Sequence, residues 1–286
     1  MKQLNKQRGM SLIELMIASL LSLVISYFIM NIMINSAKSA TTSDGLAEAQ
    51  ETGRFVMSFL SNEIKRAGYK PVRNLDPNAP FADLCPAGAD LPPADNANCT
   101  FDSNTNDSGD RLAIRWQYNA TSTLARDQED CTGVALAIPD ETRLVDVYWV
   151  ESDINDGDGY GDVLRCVTYN EGTGKVVAGS SAQTIASGVV AMHVLYGTFQ
   201  LNNAGDTVVS SRYLSASEFA GSEWSLPVRS ARVYLLTRSF NPNTLDNNTR
   251  EFVLADAEPY QLTDQVSRYI QVSTVALNNL NTVDNN

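Results

Sequence analysis

The hydrophobic pattern divides the first seventy residues into two parts. Residues 15–37 contain no charged side chain, and about 20 apolar residues in a helix suffice to cross the hydrocarbon of a bilayer. Farther on, apolar and small residues recur at steps of three and four, which is typical of one face of a helix. These positions are Leu46, Ala49, Gly53, Val56, Leu60, Ile64 and Ala67. The pattern predicts one helix from Met10 to Ala67 whose first part can span a membrane.

The placement of proline supports an uninterrupted helix. All ten prolines lie at residue 71 or later, and a proline inside a helix would break or kink it. Gly68 and Pro71 supply a stop signal, while the Ala/Thr/Ser-rich residues 36–44 fit either a linker or more helix. We expect four segments, which are a leader at 1–9, a transmembrane and assembly helix at 10–37, the extracytoplasmic half of the helix at 38–69, and a globular head at 70–286.

The head has the pattern of β-structure. Residues 71–110 are crowded with Pro, Asn, Asp and Ala and predict a long surface loop. Apolar or alternating runs bounded by turn residues then predict strands at 111–118, 143–150, 163–169, 189–196, 228–237 and 269–277. The predicted fold class is α+β, with a long N-terminal helix packed on a β-rich head that contains an antiparallel sheet.

Charge is distributed unevenly along the chain. The net charge is −12 overall, and residues 1–70 hold eight Lys/Arg against five Asp/Glu, so the remaining residues carry a net charge of −15. So acidic a head disfavours nucleic-acid binding, because it repels phosphate. Lys2, Lys6 and Arg8 precede the apolar run, and such a basic flank favours a cytoplasmic N-terminus with the head on the other side of the membrane.

The four cysteines all follow the apolar run. Cys85, Cys99, Cys131 and Cys166 form no CxxC pair, a spacing that suits disulfides better than zinc. Two bridges are expected in an oxidising compartment, and three connectivities are open. We favour Cys85–Cys99 and Cys131–Cys166 because each joins near neighbours; the alternative is four buried free thiols.

One carboxylate interrupts the apolar region near its start. An ionised Glu at the centre of a membrane span costs about 2.5–3.5 kcal/mol even on a lenient scale, so Glu14 calls for a cationic partner. Cleavage between Gly9 and Met10 would create an α-ammonium one helical turn away. That amine, or the same amine of a neighbouring subunit, can neutralise the carboxylate. The alternative is that Glu14 lies at the membrane interface and is merely tolerated there.

The segment RGMSLIELMIASLLSLV resembles the class III signal of type IV prepilins. The resemblance implies that a prepilin peptidase cuts after Gly9 and methylates Met10, and that Glu14 helps to dock the subunit into a filament. Met10 stands where Phe is commoner in the family.

A second segment narrows the resemblance. AEAQETGRFVMSFLSNEIKRAGY resembles the region of PilW-type minor pilins with a Q-E-x-G-R-F motif and an R/K-x-A-G-Y ending. SGVVAMHVLYG, VRSARVYLLTRS and VSRYIQVSTVALNN also resemble this family, although Asn278 stands where Arg is expected.

The resemblance implies a minor pilin anchored in the inner membrane of a Gram-negative bacterium, with its head in the periplasm before it reaches the pilus tip. It also implies contacts with other minor pilins, the major pilin and a tip adhesin. A minor pseudopilin of type II secretion remains an alternative. A different class of alternative is a signal-anchored periplasmic enzyme or calcium-binding module.

Sequence support for catalysis or a bound metal is slight. The only histidine, His193, lies in an apolar run that predicts a strand. Alternation would place it on the face opposite Val190, Met192, Val194 and Tyr196. No enzymatic activity and no cofactor is therefore expected, with one exception. Clustered Asp and Asn oxygens in DINDGDGYGD suit Ca²⁺, but the EF-hand register is imperfect, and an acidic hairpin turn is the alternative. The candidate ligands are Asp153, Asn155, Asp156, Asp158 and Asp162.

Overall fold

A computed structural model gives the architecture of the chain. It describes residues 10–69, 80–82, 99–103, 108–153, 161–201, 208–219, 228–240, 242, 248–277 and 279. The side chains of 152–153, 199–201 and 208–210 are not described.

In the described residues one long helix, α1 (Leu12–Arg66), precedes ten strands. At 1.5 Å per residue its 55 residues extend about 82 Å. The predicted limits, Met10 and Ala67, were slightly too wide, and the Ala/Thr/Ser-rich segment is helical. The strands are β1 (Leu112–Gln117), β2 (Arg143–Asp153), β3 (Gly161–Asn170), β4 (Gln183–Ser187), β5 (Val189–Leu201), β6 (Val208–Leu214), β7 (Val228–Arg238), β8 (Arg250–Phe252), β9 (Tyr260–Leu262) and β10 (Arg268–Ala276).

The strands form two four-stranded sheets and a small two-stranded one. Their orders are β1-β2-β3-β4, β10-β7-β5-β6 and β8-β9, and every pair of these strands is antiparallel. The α+β prediction is thus confirmed, with two large sheets in the head. All six predicted strands are present, while β4, β6, β8 and β9 were missed.

The main hydrophobic core lies where the second half of α1 meets both large sheets. It contains Val56, Leu60 and Ile64 of the helix, together with residues from each sheet. The predicted buried face of α1 is confirmed at six of its seven positions, but Leu46 is wrong because it is 38% exposed. Gly45 is buried in its place, since a step of four back from Ala49 keeps the stripe on the same helix face.

Part of the predicted surface loop is buried. Phe81, Ala82 and Cys99 are at most 1% exposed. Phe81 and Phe101 form antiparallel bridges to Ile114 and Arg111. The prediction of a surface loop is therefore wrong for these residues, because they pack beside β1 and extend its hydrogen bonding.

Gly53 allows α1 to approach the β10-β7 side of the head closely. A Cβ atom at this position would lie 2.7 Å from Gln271 Oε1 and 3.2 Å from Thr237 Oγ1. One turn earlier, Thr237 Oγ1 donates a hydrogen bond of 2.7 Å to the carbonyl oxygen of Ala49. The glycine of the Q-E-x-G-R-F motif therefore has a packing role.

Replacing Gly53 with Leu should lower the free energy of unfolding of the head by about 1–3 kcal/mol, because the added atoms overpack the contact between helix and sheet. Gly53→Ala is the matched control. Its Cβ meets the far ends of side chains that can shift. Since alanine also favours the helix over glycine by about 1 kcal/mol, the free energy of unfolding should fall less than in Gly53→Leu. Urea unfolding measures both variants, and equal stability of Gly53→Leu and wild type would contradict the close packing.

Candidate assembly site

The first half of α1 is apolar and has no cover from the head. Its large side chains are 44–77% exposed from Leu12 to Ile34. An 18-residue window of α1 has a mean hydropathy of 2.2 and no buried residue. Free energy of about 25 cal/mol per Å² favours removing such a surface from water. This half of the helix is therefore built to be covered by a membrane or by other helices.

Glu14 lies in the first turn of this exposed half. Ser11 is the N-cap, and its Oγ accepts a hydrogen bond of 3.3 Å from the Ile13 N–H. The Ser11 carbonyl oxygen accepts hydrogen bonds from the N–H groups of Glu14 at 3.1 Å and Leu15 at 3.2 Å. The cap fixes the helix start next to Met10, which is 67% exposed. Gly9 lies outside the described residues, so cleavage there stays a prediction.

Arg66 anchors the other end of α1 in the head. Its side chain is 2% exposed, and its guanidinium is paired with Asp146 of β2 and with Glu63 at 2.9 Å. Its Nη1 donates to the carbonyl oxygens of Arg126 at 2.7 Å and Glu129 at 3.2 Å. The guanidinium carbon lies 4.0 Å from the ring centroid of Trp116, a cation–π contact. The helix end is therefore tied to three separate parts of the head.

Asp146 joins this cluster to the disulfide. Its Oδ1 accepts a hydrogen bond of 2.6 Å from Thr168 Oγ1, which in turn accepts one of 3.0 Å from the Cys131 N–H. Complete burial raises the pKa of Asp146 to about 6, against the lowering effect of Arg66. At neutral pH the carboxylate is ionised and paired with the guanidinium. Removing one member would leave an uncompensated buried charge.

Further hydrogen bonds to the backbone hold the C-terminal end of α1. Gly68 adopts a φ of 74°, a left-handed conformation that suits glycine at a helix end. Its N–H donates to the Arg115 carbonyl oxygen at 2.8 Å. Near the other end of the chain, Asn279 Nδ2 donates to the carbonyl oxygen of Lys65 at 2.7 Å. The end of the helix is thus held by β1 and by the segment after β10.

The structure contains the disulfide Cys131–Cys166, which is the pairing that the sequence favoured. Cys99 is also disulfide-bonded. Its expected partner, Cys85, lies outside the described residues. Among the described residues there is no free cysteine.

The candidate calcium ligands are mostly outside the described side chains. Only Asp162 is described, and its Oδ2 lies 3.1 Å from Arg238 Nε. A cation at this position would compete with that ion pair. In the part of the chain that the structure describes, no group of three or more His, Cys, Asp or Glu residues is arranged to hold a metal. The calcium site stays a prediction.

His193 is a buried strand residue, as predicted. Its Nδ1 lies 3.1 Å from Asp110 Oδ1, and its Nε2 lies 2.7 Å from the Tyr260 hydroxyl. Burial raises the pKa of Asp110. These contacts join β5 to β9, and a fully buried imidazole is not accessible to a substrate. Val190 departs from the predicted alternation, because the register shift between Val189 and Ala191 lets it pack with the residues on the β8-β9 side.

Two models of known protein families match the sequence. Residues 147–279 match the model of the type IV pilus-assembly protein W family, and residues 4–26 match the prokaryotic N-terminal methylation motif. The two matches together support a type IV pilus minor pilin of the PilW type. Pilins are structural proteins, and the methylation motif on an exposed apolar helix indicates membrane anchoring and association with a pilus.

One of the solved structures that match the chain has low sequence identity to it. It is a type IV-like pilin from Thermus thermophilus, with 15% sequence identity and a TM-score of 0.42, and the alignment covers 81% of this chain and 97% of that one. No curated protein matched the sequence closely enough to count as a relative.

Sequence reasoning found the exposed half of this minor pilin but missed its anchor. Arg66, Asp146 and Thr168 are buried polar residues, and polarity usually marks exposed positions. Their signal was indirect. Arg66 directly precedes Ala67 on the buried side of the helix, and Asp146 interrupts an apolar strand.

Replacing Asp146 with Ala should lower the free energy of unfolding by about 3–5 kcal/mol, because it leaves the Arg66 guanidinium buried without its main partner. Glu171→Ala is the matched control. It removes a carboxylate from the partly exposed ion pair with Arg115, whose atoms lie 2.7 Å apart, and should cost less than about 1 kcal/mol.

Urea unfolding of the two variants and of the double variant Arg66→Met/Asp146→Leu provides the test. The double variant should recover most of the loss, since an apolar pair of similar volume often replaces a buried ion pair at little cost. Equal effects of Asp146→Ala and Glu171→Ala would contradict the anchoring role.

Proposed function

We propose that this minor pilin primes assembly of a type IV pilus and stays in the complex at its tip. The observation that carries the proposal is the contrast along α1, whose second half is buried in the head while its first half exposes apolar side chains around one carboxylate. The matched methylation motif, residues 4–26, includes the start of that first half with Met10 and Glu14.

In the proposed sequence of events the chain is first a membrane-anchored precursor. Lys2, Lys6 and Arg8 keep the N-terminus in the cytoplasm, and the head lies in the periplasm of a Gram-negative cell. A prepilin peptidase then cuts the peptide bond after Gly9 and methylates the new amine of Met10. The product keeps a positive charge on that nitrogen and has lost the basic leader.

Glu14 then guides docking. In a filament the apolar halves of neighbouring helices pack together, so the carboxylate is removed from water. The ammonium of Met10 on a neighbouring subunit offsets the cost, since a charge pair in a low-dielectric setting interacts far more strongly than in water. Helix contacts with the major pilin and other minor pilins follow, and the head presents its outer surface to a tip adhesin.

Glu14→Ala should leave membrane insertion unchanged and reduce the amount of this chain in sheared pili at least tenfold, because the Met10 ammonium loses its partner. Asp44→Ala is the matched control. This substitution removes an exposed carboxylate from the same helix beyond the apolar half. The amount of this variant in sheared pili should equal that of wild type.

Quantitative immunoblots of membrane and pilus fractions measure both effects in native cells. Recruitment of Glu14→Ala at the wild-type level would show that the carboxylate has no part in docking. Pilus number in a strain that lacks the chain tests priming separately, and an unchanged number would overturn that part of the proposal.

A further inference from the structure

Strand β10 is an edge strand of the sheet β10-β7-β5-β6. Within the described residues β7 is its only strand neighbour, and the two pair over all nine residues of β10 without a register shift. Edge strands present unpaired N–H and C=O groups that can pair with another chain. Strand β10 therefore has one side, along its whole length, that could pair with a strand of another chain.

The other three edges of the large sheets are covered or irregular. The bridges of Phe81 and Phe101 lie beside β1. Strand β4 is only five residues long, and its pairing with β3 is shifted after Leu164. The pairing of β6 with β5 is shifted at Gln200 and Leu201. Short strands, bulges and cover are the usual means of preventing edge-to-edge pairing.

The register identifies the backbone groups that point away from β7. The Leu277 N–H donates to the Arg229 carbonyl oxygen at 2.9 Å, so this pair is of the hydrogen-bonded type. Hydrogen-bonded and non-hydrogen-bonded pairs alternate along antiparallel strands. Continuing this alternation back along the strand, the residues whose N–H and C=O groups face the open edge are Arg268, Ile270, Val272, Thr274 and Ala276.

The side chains of β10 offer no obstacle to a partner. Residues 269–277 contain neither charge nor proline, although lysine and proline commonly prevent pairing at edge strands. The one charged residue of β10 is Arg268 at its start, whose side chain is 4% exposed and pairs with Asp264 at 2.6 Å. Val272 is 49% exposed, and Thr274 and Ala276 are exposed as well. In a head region with a net charge of −15 from residue 71 onwards, this strand is a neutral strip on which a second acidic head would meet little repulsion.

The strip also lies beside the assembly helix. Gln271 of β10 contacts α1 at Gly53, and Asn279, just after the strand, bonds to the end of the helix at Lys65. Packing of neighbouring helices would therefore bring another head near this edge.

We propose that the open edge of β10 accepts an extended, uncharged strand from the head of a neighbouring pilin, which adds a fifth strand to the sheet. The inference rests on the proposed function, because it assumes that the chain enters a filament. Main-chain hydrogen bonds at the outward-facing residues from Ile270 to Ala276 supply affinity, as in other cases of strand addition. The exposed side chain of Val272 packs against an apolar residue of the added strand.

A proline at Val272 tests the proposal in native cells. It removes an outward N–H and leaves the bonds to β7 in place, so the purified variant should unfold close to the wild-type temperature. Its amount in sheared pili should fall at least tenfold. Val272→Thr is the matched control, since it keeps the N–H and the β-branched shape, and it should stay within twofold of wild type. Ser273→Pro shows the opposite case, because it removes an inward N–H and should destabilise the purified protein.

The outcomes separate this inference from the proposed function. If folded Val272→Pro is as abundant in pili as wild type, strand addition is overturned while the proposed function stands. If wild type itself is missing from pili, both are overturned. Should Val272→Pro fail to fold, Val272→Lys takes its place, since an edge lysine blocks pairing without changing the backbone, and its normal recruitment would equally overturn the inference.

Discussion

The structure depends on one constraint. A single uninterrupted helix must be accommodated in two different surroundings, an apolar environment along its first half and the protein core along one face of its second half. From Gly45 onwards one face of the helix is buried in the head, and its core residues pack against both large sheets. Before that, its large apolar side chains are 44–77% exposed. A helix cannot hide the first half without breaking the packing of the second. The apolar half must therefore be covered from outside the molecule, first by lipid and then by other helices.

This constraint makes the anchorage at Arg66 important. Any force on the exposed half of α1 is transmitted to the head through the helix, and the contacts at its end oppose separation. The buried pair of Arg66 and Asp146 is joined through Thr168 to the Cys131 backbone. Cys131 is in turn bonded to Cys166 of β3 by the disulfide. Closing the loop from Cys131 to Cys166 adds stability by restricting the unfolded chain, by roughly 3–4 kcal/mol in the entropy model. The disulfide is thus part of the set of contacts that holds the end of the helix.

Most of the architecture could be predicted because it follows from periodicity. The helix, its buried face and six strands each correspond to a periodic pattern of apolar residues. Such a pattern predicts an element even where one residue departs from it. The missed strands are short or partly polar, as in β8 and β9, where three residues cannot show alternation. Leu46 was predicted on the buried face because it is apolar and three residues before Ala49, whereas the buried face continues by a step of four to Gly45, which lacks an apolar side chain. Arg66 and Asp146 could not be paired from sequence, since residues 80 positions apart meet only through the tertiary fold.

The features proposed to act in assembly also differ in how far the sequence predicted them. Glu14 could be found from sequence because a charge stands out in an apolar run, whereas the open edge of β10 became visible only with the strand order. The central claim is that proteolysis after Gly9 frees the amine that neutralises Glu14. Intact mass spectrometry of the chain from sheared native pili tests it most directly. The account predicts a mass that lacks residues 1–9 and carries one added methyl group. A chain in polymerised material that still contains Met1 to Gly9 would contradict it.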